Sequence, residues 1–234
     1  MSKAKKSTFY KDAEQLMVAV DCIIFGFDKD QLKLLLFKRK IYPFKNKWSL
    51  IGSFVNRKEN VDNAANRVLA EYTGLTNVFL EELGCFGKYN RDPAERVVSI
   101  AHYALIRLDE QKLELAESHE AHWFDVDEIP KLILDHNEMV THALEELRRK
   151  ARYQPIGFEL LPEKFTIPQL KNFYDSIYQK ELDRRNFRKR ILAMDILKKL
   201  DEKDKSTSRK GAFLYQFDKK KYKKLVAEGF NFIV

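Results

Sequence analysis

The 234-residue sequence predicts two domains in tandem: an α/β sandwich over residues 1–153 and a small basic domain of helices and a β-hairpin over residues 154–234. Three observations carry this reading. Strand-like apolar runs alternate with two helical periodicities up to residue 153, prolines bracket residues 155–162, and the charge balance changes at that joint. A chain of this length with 44% apolar residues can bury two modest cores.

In the first domain, residues 16–27 (LMVAVDCIIFGF) and 32–37 (LKLLLF) are rich in β-branched and aromatic residues around the turn DKDQ, the pattern of a hairpin. Further strands fit residues 48–54, 78–89, 96–107 and 121–125. Val61, Ala64, Ala65, Val68, Leu69 and Tyr72 recur at helical spacing over residues 61–73, and Gly74 supplies the stop. A second helix fits residues 136–152. Asp135 would cap it with Glu138 three residues on, and Met139, Val140, Ala143, Leu144 and Leu147 share one face.

Beyond the joint, Thr166 and Gln169 fit a capping box, and Pro168 is tolerated in a first turn. The helix that follows has Leu170, Phe173, Tyr174 and Ile177 on its apolar face, and Asp183 is placed to cap a second helix, RRNFRKRIL. Strands at 194–197 and 212–217 enclose the loop DEKDKSTSRKG, while KKKYKK reads as a basic low-complexity tract. Two helices plus a basic hairpin make a winged helix-turn-helix.

Charge sharpens the division. Residues 155–234 hold 19 of the 43 basic residues but only 11 of the 35 acidic ones, so the whole net charge of +8 falls there. Lys and Arg concentrated in this way suit a polyanion, because neutralising phosphates releases condensed counterions. No apolar run reaches the roughly 20 residues a membrane helix needs, and a short basic start followed by polar residues is no secretory leader. A cytoplasmic protein without membrane contact is expected. Cys22 and Cys85 both sit in apolar strand-like runs and are expected to be buried free thiols rather than a disulfide or metal site.

Residues 48–75 read WSLIGSFVNRKENVDNAANRVLAEYTGL. Here the chain resembles the Nudix family, whose box runs Gly-x5-Glu-x7-Arg-Glu-U-x-Glu-Glu-x-Gly-U with U apolar. Glu59, Arg67, Leu69, Glu71, Gly74 and Leu75 fall on their expected positions, whereas the first Gly is Ser53 and two carboxylates are Val68 and Tyr72. The box works by projecting carboxylates at i, i+3 and i+4 from one helix face toward Mg²⁺. With two of those three carboxylates lost, no metal site, catalytic residue or cofactor is expected and the domain should not be an enzyme. Glu59 and Arg67 are expected to brace the loop-helix turn.

A pocket can outlive its chemistry. Asp21 in VAVDCII, Arg39 and Lys45 beside Pro43-Phe44, Trp48, and Arg91, Asp92 and Arg96 are the polar and aromatic residues placed to hold a sugar or sugar nucleotide. Each has a structural alternative as an ion pair or core edge. The five histidines show no metal-ligand spacing and are assigned no chemistry.

Residues 153–217 resemble the C-terminal domain of the Nudix-related transcriptional regulators, which fuse a Nudix domain to a winged helix; LDRRNFRKRI is the specific element. The resemblance implies that Arg184, Arg185, Asn186, Arg188, Lys189 and Arg190 contact double-stranded operator DNA. Phe187 and Ile191, i and i+4, would face inward. Arg and Asn can read base edges, whereas Lys more often meets phosphate. On this reading Thr166 and Gln169 are assigned to the DNA backbone, and Ser206, Ser208, Arg209 and Lys210 to the wing tip. The resemblance further implies a homodimeric repressor released from its operator by a small effector. The overall likeness points to the arabinose-responsive, sugar-catabolism branch, with a branch controlling NAD metabolism and sensing ADP-ribose as the alternative. A Nudix pyrophosphatase with an accessory basic domain and an RNA-binding module are the competing classes.

Overall fold

A computed structural model describes residues 12–28, 30–206, 209–230 and 232. Ser208, assigned to the wing tip, lies outside the described residues. The first domain is built on a seven-stranded sheet formed by β1 (Met17–Asp28), β2 (Gln31–Lys38), β3 (Trp48–Ser49), β4 (Ile51–Phe54), β5 (Glu81–Phe86), β6 (Val97–Arg107) and β7 (Ala121–Asp125). Helices α1 (Val61–Thr73), α2 (Glu110–Ser118) and α3 (His136–Tyr153) complete it.

Strand β1 is the spine. It runs parallel to β6 from Met17↔Val97 to Phe27↔Arg107, while its other edge is shared between β4 (Ala19 to Cys22) and β2 (Phe25 to Asp28). Alternation along β1 feeds two cores. Val20, Cys22 and Ile24 pack with Ala64, Ala65, Val68 and Leu69 of α1, whereas Ile23, Phe25 and Phe27 pack on the side of Met139, Val140, Ala143 and Leu147 of α3. By the same parity Asp21 faces the α3 side, a carboxylate in an otherwise apolar layer.

The segment expected as one strand over 48–54 divides at Leu50. Strand β3 pairs with β2 and β4 with β1, so the chain changes partners there, and the released Leu50 N–H donates to His136 Nδ1 at 3.1 Å. Helix α2 went unrecognised in the sequence because its apolar content is slight; Asp109 caps it, accepting from Lys112 N–H at 2.9 Å. Cys85 departs from expectation as well. It lies on edge strand β5 and is exposed, whereas Cys22 is buried and its thiol pushed far up by desolvation.

The second domain comprises β8 (Phe165–Thr166), α4 (Ile167–Tyr178), α5 (Arg184–Ala193), β9 (Leu197–Asp204), β10 (Ala212–Phe217) and α6 (Lys219–Ala227), with the strands ordered β8-β10-β9. The capping box forms: Thr166 Oγ1 accepts from Gln169 N–H and Gln169 Oε1 accepts from Thr166 N–H at 2.8 Å. Asp183 caps α5, accepting from Asn186 N–H at 2.8 Å. The first wing strand begins at Leu197 and takes in the charged DEKD stretch read as loop, because the outer strand of a small sheet needs no buried face; Lys199 and Lys203 sit over the Phe213 ring instead. KKKYKK belongs to α6, whose Tyr222 and Leu225 pack on the core.

The α3-side core continues without a break into the winged helix, through contacts such as Phe27 against Phe173 at 5.0 Å between ring centroids. Polar ties reinforce the junction. Arg148 on α3 donates to the Ile177 carbonyl at 3.1 Å and to Gln179 Oε1 at 2.7 Å, and Gln179 donates to Asp127 at 2.8 Å. Among the described residues no helix is long and apolar enough to cross a membrane.

Candidate functional site

The Nudix-like loop and helix are held by one arginine. Arg67 donates to both Glu59 oxygens at 2.7 and 2.9 Å, to Glu71 at 3.1 Å and to the Phe54 carbonyl at 3.1 Å, while Asn56 N–H also donates to Glu59. Hydrogen bonding from Arg67 holds the Glu59 carboxyl down at about 2. Val68 is fully buried against the sheet, and the half-exposed Tyr72 ring packs on Phe37 at 5.4 Å. The two positions where the family pattern has carboxylates therefore serve packing, and Glu71 is tied to a guanidinium.

The buried polar feature of this domain centres on Asp21. Its Oδ2 accepts from Ser99 Oγ at 2.6 Å and lies 3.6 Å from Arg91, whose guanidinium donates to both oxygens of Asp135 at 2.9 and 2.8 Å. His136 Nε2 stands 3.6 Å from Asp21 Oδ1. Because Nδ1 of that ring accepts from Leu50 N–H, the neutral ring carries its proton on Nε2, facing Asp21. Burial holds the imidazole below its ordinary range, against the pull of the neighbouring carboxylates. Gly52 completes the pocket, since a Cβ there would collide with the Asp21 carboxylate.

Of the predicted pocket residues, Asp21 and Arg91 are brought together. Asp135, expected to cap α3, makes no side-chain cap; it takes Arg91 instead, and Glu138 pairs with Lys88 at 2.7 Å. Trp48 is half-buried against Phe124 at 4.8 Å. Arg39 donates to the Pro43 carbonyl at 2.8 Å, and exposed Lys45 approaches the Tyr42 ring in the same loop. Asp92 accepts from Ala94 N–H at 2.8 Å, and Arg96 donates to the Gly87 and Lys88 carbonyls, so both shape the β5–β6 connection. His136, Ser99 and Gly52 were missed: nothing in their local sequence distinguishes them from core residues. A cleft of about 220 Å³ lies alongside, lined by Phe37, Lys38, Arg39, Gly52, Glu71 and Tyr72 among others.

On the second domain, Phe187 and Ile191 anchor α5 in the core and Arg184, Arg185, Asn186, Arg188, Lys189 and Arg190 are all exposed. None of the five cationic groups has a carboxylate partner among the described residues. Two residues from each anchor, Arg185 and Lys189 point most directly outward; Arg184 and Arg188 flank a groove beside Pro168 and Lys171 of α4. Of the two residues assigned to the DNA backbone, Thr166 is 4% exposed with its hydroxyl accepting in the α4 cap, and Gln169 is half-buried in that cap. Ser206, Arg209 and Lys210 are exposed on the loop between β9 and β10.

Residues 15–143 match the family described as NUDIX domain, and residues 157–217 match the NrtR DNA-binding winged helix domain. Over 205 residues the chain is 32% identical to the ADPR responsive transcriptional repressor NtrR of Acinetobacter baylyi, covering 86% of this chain and 82% of that one. The chain belongs to the NrtR-like Nudix proteins. The fold agrees: Shewanella oneidensis NrtR complexed with a 27mer DNA superposes with a TM-score of 0.70 at 28% identity, covering 86% of this chain and 93% of that one. The Nudix domain of the same protein complexed with ADP ribose matches 58% of this NrtR-like chain and 92% of its own, at 26% identity and a TM-score of 0.52. The ADP-ribose pyrophosphatase of Methanocaldococcus jannaschii is 39% identical over 123 residues, covering 53% of this chain and 70% of that one. These relatives give no support to the arabinose branch, and they favour the ADP-ribose alternative.

Proposed function

We propose that this protein is a transcriptional repressor whose winged helix grips operator DNA as a homodimer and whose Nudix domain, dividing from it near residue 153, releases the DNA on binding ADP-ribose. The observation that carries the DNA half is the exposed cationic face of α5, which has no carboxylate partner among the described residues. Desolvating an arginine that has no protein partner is favourable only when an anion replaces the water, and a duplex supplies phosphates and guanine edges at that spacing. The similarity to an ADP-ribose-responsive repressor along most of both chains supports the effector assignment.

Electrostatics also separates ADP-ribose from a pentose. The cleft beside Glu71 and Tyr72 is flanked by Lys38, Arg39 and Lys40; Lys40 pairs with Glu120 in the same lining, which leaves Lys38 and Arg39 for a diphosphate to compensate, as a neutral sugar would not. Its about 220 Å³ encloses part of such a ligand and leaves the remainder to the surrounding surface. We read the domain as inactive: Val68 and Tyr72 cannot coordinate Mg²⁺, and a single carboxylate bound to arginine is a poor hard-cation site. The pyrophosphatase relative and the retained Glu59, Arg67 and Glu71 favour the second reading, a hydrolase.

The route from pocket to DNA runs along α3. Its first turn is fixed by Arg91 and Leu50 through Asp135 and His136, and its far half grips α4 through Arg148. A ligand in the cleft presses on Gly52, which abuts the Asp21 carboxylate beside Arg91, and so acts on the base of the winged helix without touching it. Calorimetric titration with ADP-ribose and L-arabinose, together with a Mg²⁺ hydrolysis assay, tests the proposal. Saturable binding of ADP-ribose alone, without turnover, is expected; rapid hydrolysis would establish the hydrolase reading.

A further inference from the structure

A second cavity, of about 440 Å³, lies where the two domains meet. Tyr103, Leu105 and Leu147 wall it on the Nudix side, and Ile156, Phe158 and Phe217 on the other. Phe158 and Phe217 are stacked at 4.2 Å with 5° between their planes, which gives the cavity a flat aromatic wall. Phe79 stands at its mouth with 81% of its surface exposed. This size falls within the range of small-molecule sites, and domain junctions are where such sites recur.

The cavity is not wholly apolar. Lys150, Lys219 and Lys223 border it against two carboxylates, Glu81 and Glu159. Lys150 pairs with Glu81 and Lys219 with Glu159, which leaves Lys223 without a carboxylate partner among the described residues. The Tyr103 hydroxyl is buried near the Lys150 ammonium, with no partner in hydrogen-bonding geometry. One uncompensated positive charge beside aromatic walls selects for a ligand with an aromatic body and a single negative charge.

We propose that this cavity is a second small-molecule site, separate from the pocket at Asp21, which takes a flat aromatic compound bearing one acidic group. The two sites sit at different places along β6: Asp21 pairs with Ala101 and bonds Ser99, whereas the cavity takes Tyr103 to Ile106. Both domains build the walls, so occupancy is linked to how they are placed relative to one another. The assignment does not depend on the identity of the Nudix effector.

Fluorescence titration of the full-length protein with anilinonaphthalene sulfonate tests it, with uncharged phenylnaphthylamine as the matched neutral probe. One saturable component is expected, with the sulfonate bound about tenfold more tightly than the neutral probe, a factor a single charged contact supplies. Ile156→Trp, which fills the cavity, should remove that component, and Lys223→Ala should abolish the preference for the sulfonate. Leu105→Trp fills the cavity from the opposite wall and replaces Ile156→Trp if that variant does not keep the parent melting temperature. Absence of a saturable component, or its persistence in a folded cavity-filling variant, would overturn the proposal, as would equal affinity for the two probes in the parent protein.

Discussion

Arg91 and Asp135 meet in a two-pronged ion pair, 2.9 and 2.8 Å, at the head of helix α3, with the guanidinium almost wholly removed from solvent. The pair joins the β5–β6 connection to α3 and leaves Asp21 only 3.6 Å from the same guanidinium. A buried pair of this kind adds little relative to a well-packed apolar substitute, but losing one partner strands the other.

Arg91→Ala should therefore be strongly destabilising, because Asp135 and Asp21 would both lose their cation. The expected cost is about 3–5 kcal/mol, which in a chain of this size lowers the melting temperature by roughly 10 °C. Thermal melts of the variant check it, and Arg96→Ala, whose parent side chain serves backbone carbonyls and no carboxylate among the described residues, should fall well short of that cost.

His136 gives the fold a pH dependence. Its native imidazole is held below the ordinary value by burial, while the unfolded chain titrates normally near 6.5. The unfolded state thus binds more protons as the pH drops, so stability from this residue is complete above about 6.5 and declines as the pH falls toward the native value. Asp21 and Asp135 pull against this shift, and Arg91 and Arg39 reinforce it. Urea melts between about pH 5 and 7 should show the loss in the parent protein and a flatter profile for His136→Gln.

On α5, the outward geometry orders the DNA contacts. Arg185→Ala and Lys189→Ala should weaken operator binding most, Arg188→Ala less, and removal of a phosphate-contacting lysine should lower the salt slope by about one. Phe187→Ala should instead act through the fold, at about 3–5 kcal/mol. Anisotropy titrations across salt, run alongside thermal melts, distinguish the two effects.

Arg148 lies between the two functions. Its bonds to Ile177 and Gln179 are the polar grip of α3 on α4, so Arg148→Ala should leave ADP-ribose affinity unchanged while shrinking the effect of ADP-ribose on DNA affinity. Allosteric couplings of this kind are typically worth 5- to 150-fold, and a drop to about twofold or less is expected. Paired calorimetry and anisotropy measurements read both quantities.

Much of this was legible in the residues themselves. Phe187 and Ile191 at i and i+4 fixed which face of α5 is buried, and Thr166 with Gln169 announced the start of α4, because both signals are local and periodic. The pocket was less legible. Asp21 stood out as a carboxylate in an apolar strand, but its partners Ser99, Asp135 and His136 come from distant segments, and their meeting depends on the parallel β1–β6 register and on α3 packing over it. Asp135 misled for the same reason: its local sequence suits a cap, and a tertiary ion pair outweighed that preference. Helices α2 and α6 hid because α2 buries only Ala116 and α6 only partly covers Tyr222 and Leu225, each beneath a highly charged surface.

On the proposed function, ADP-ribose, bound without being consumed, releases DNA held by α5. Fluorescence anisotropy of an operator duplex, selected by the protein itself from random sequence, tests it most directly when ADP-ribose is titrated at constant salt and its concentration is followed. Dissociation should track ADP-ribose occupancy, L-arabinose should have no effect, and the added ADP-ribose should remain unhydrolysed. A duplex that remains bound at saturating ADP-ribose, or hydrolysis at ordinary enzyme rates of about 1 per second or more, would contradict it.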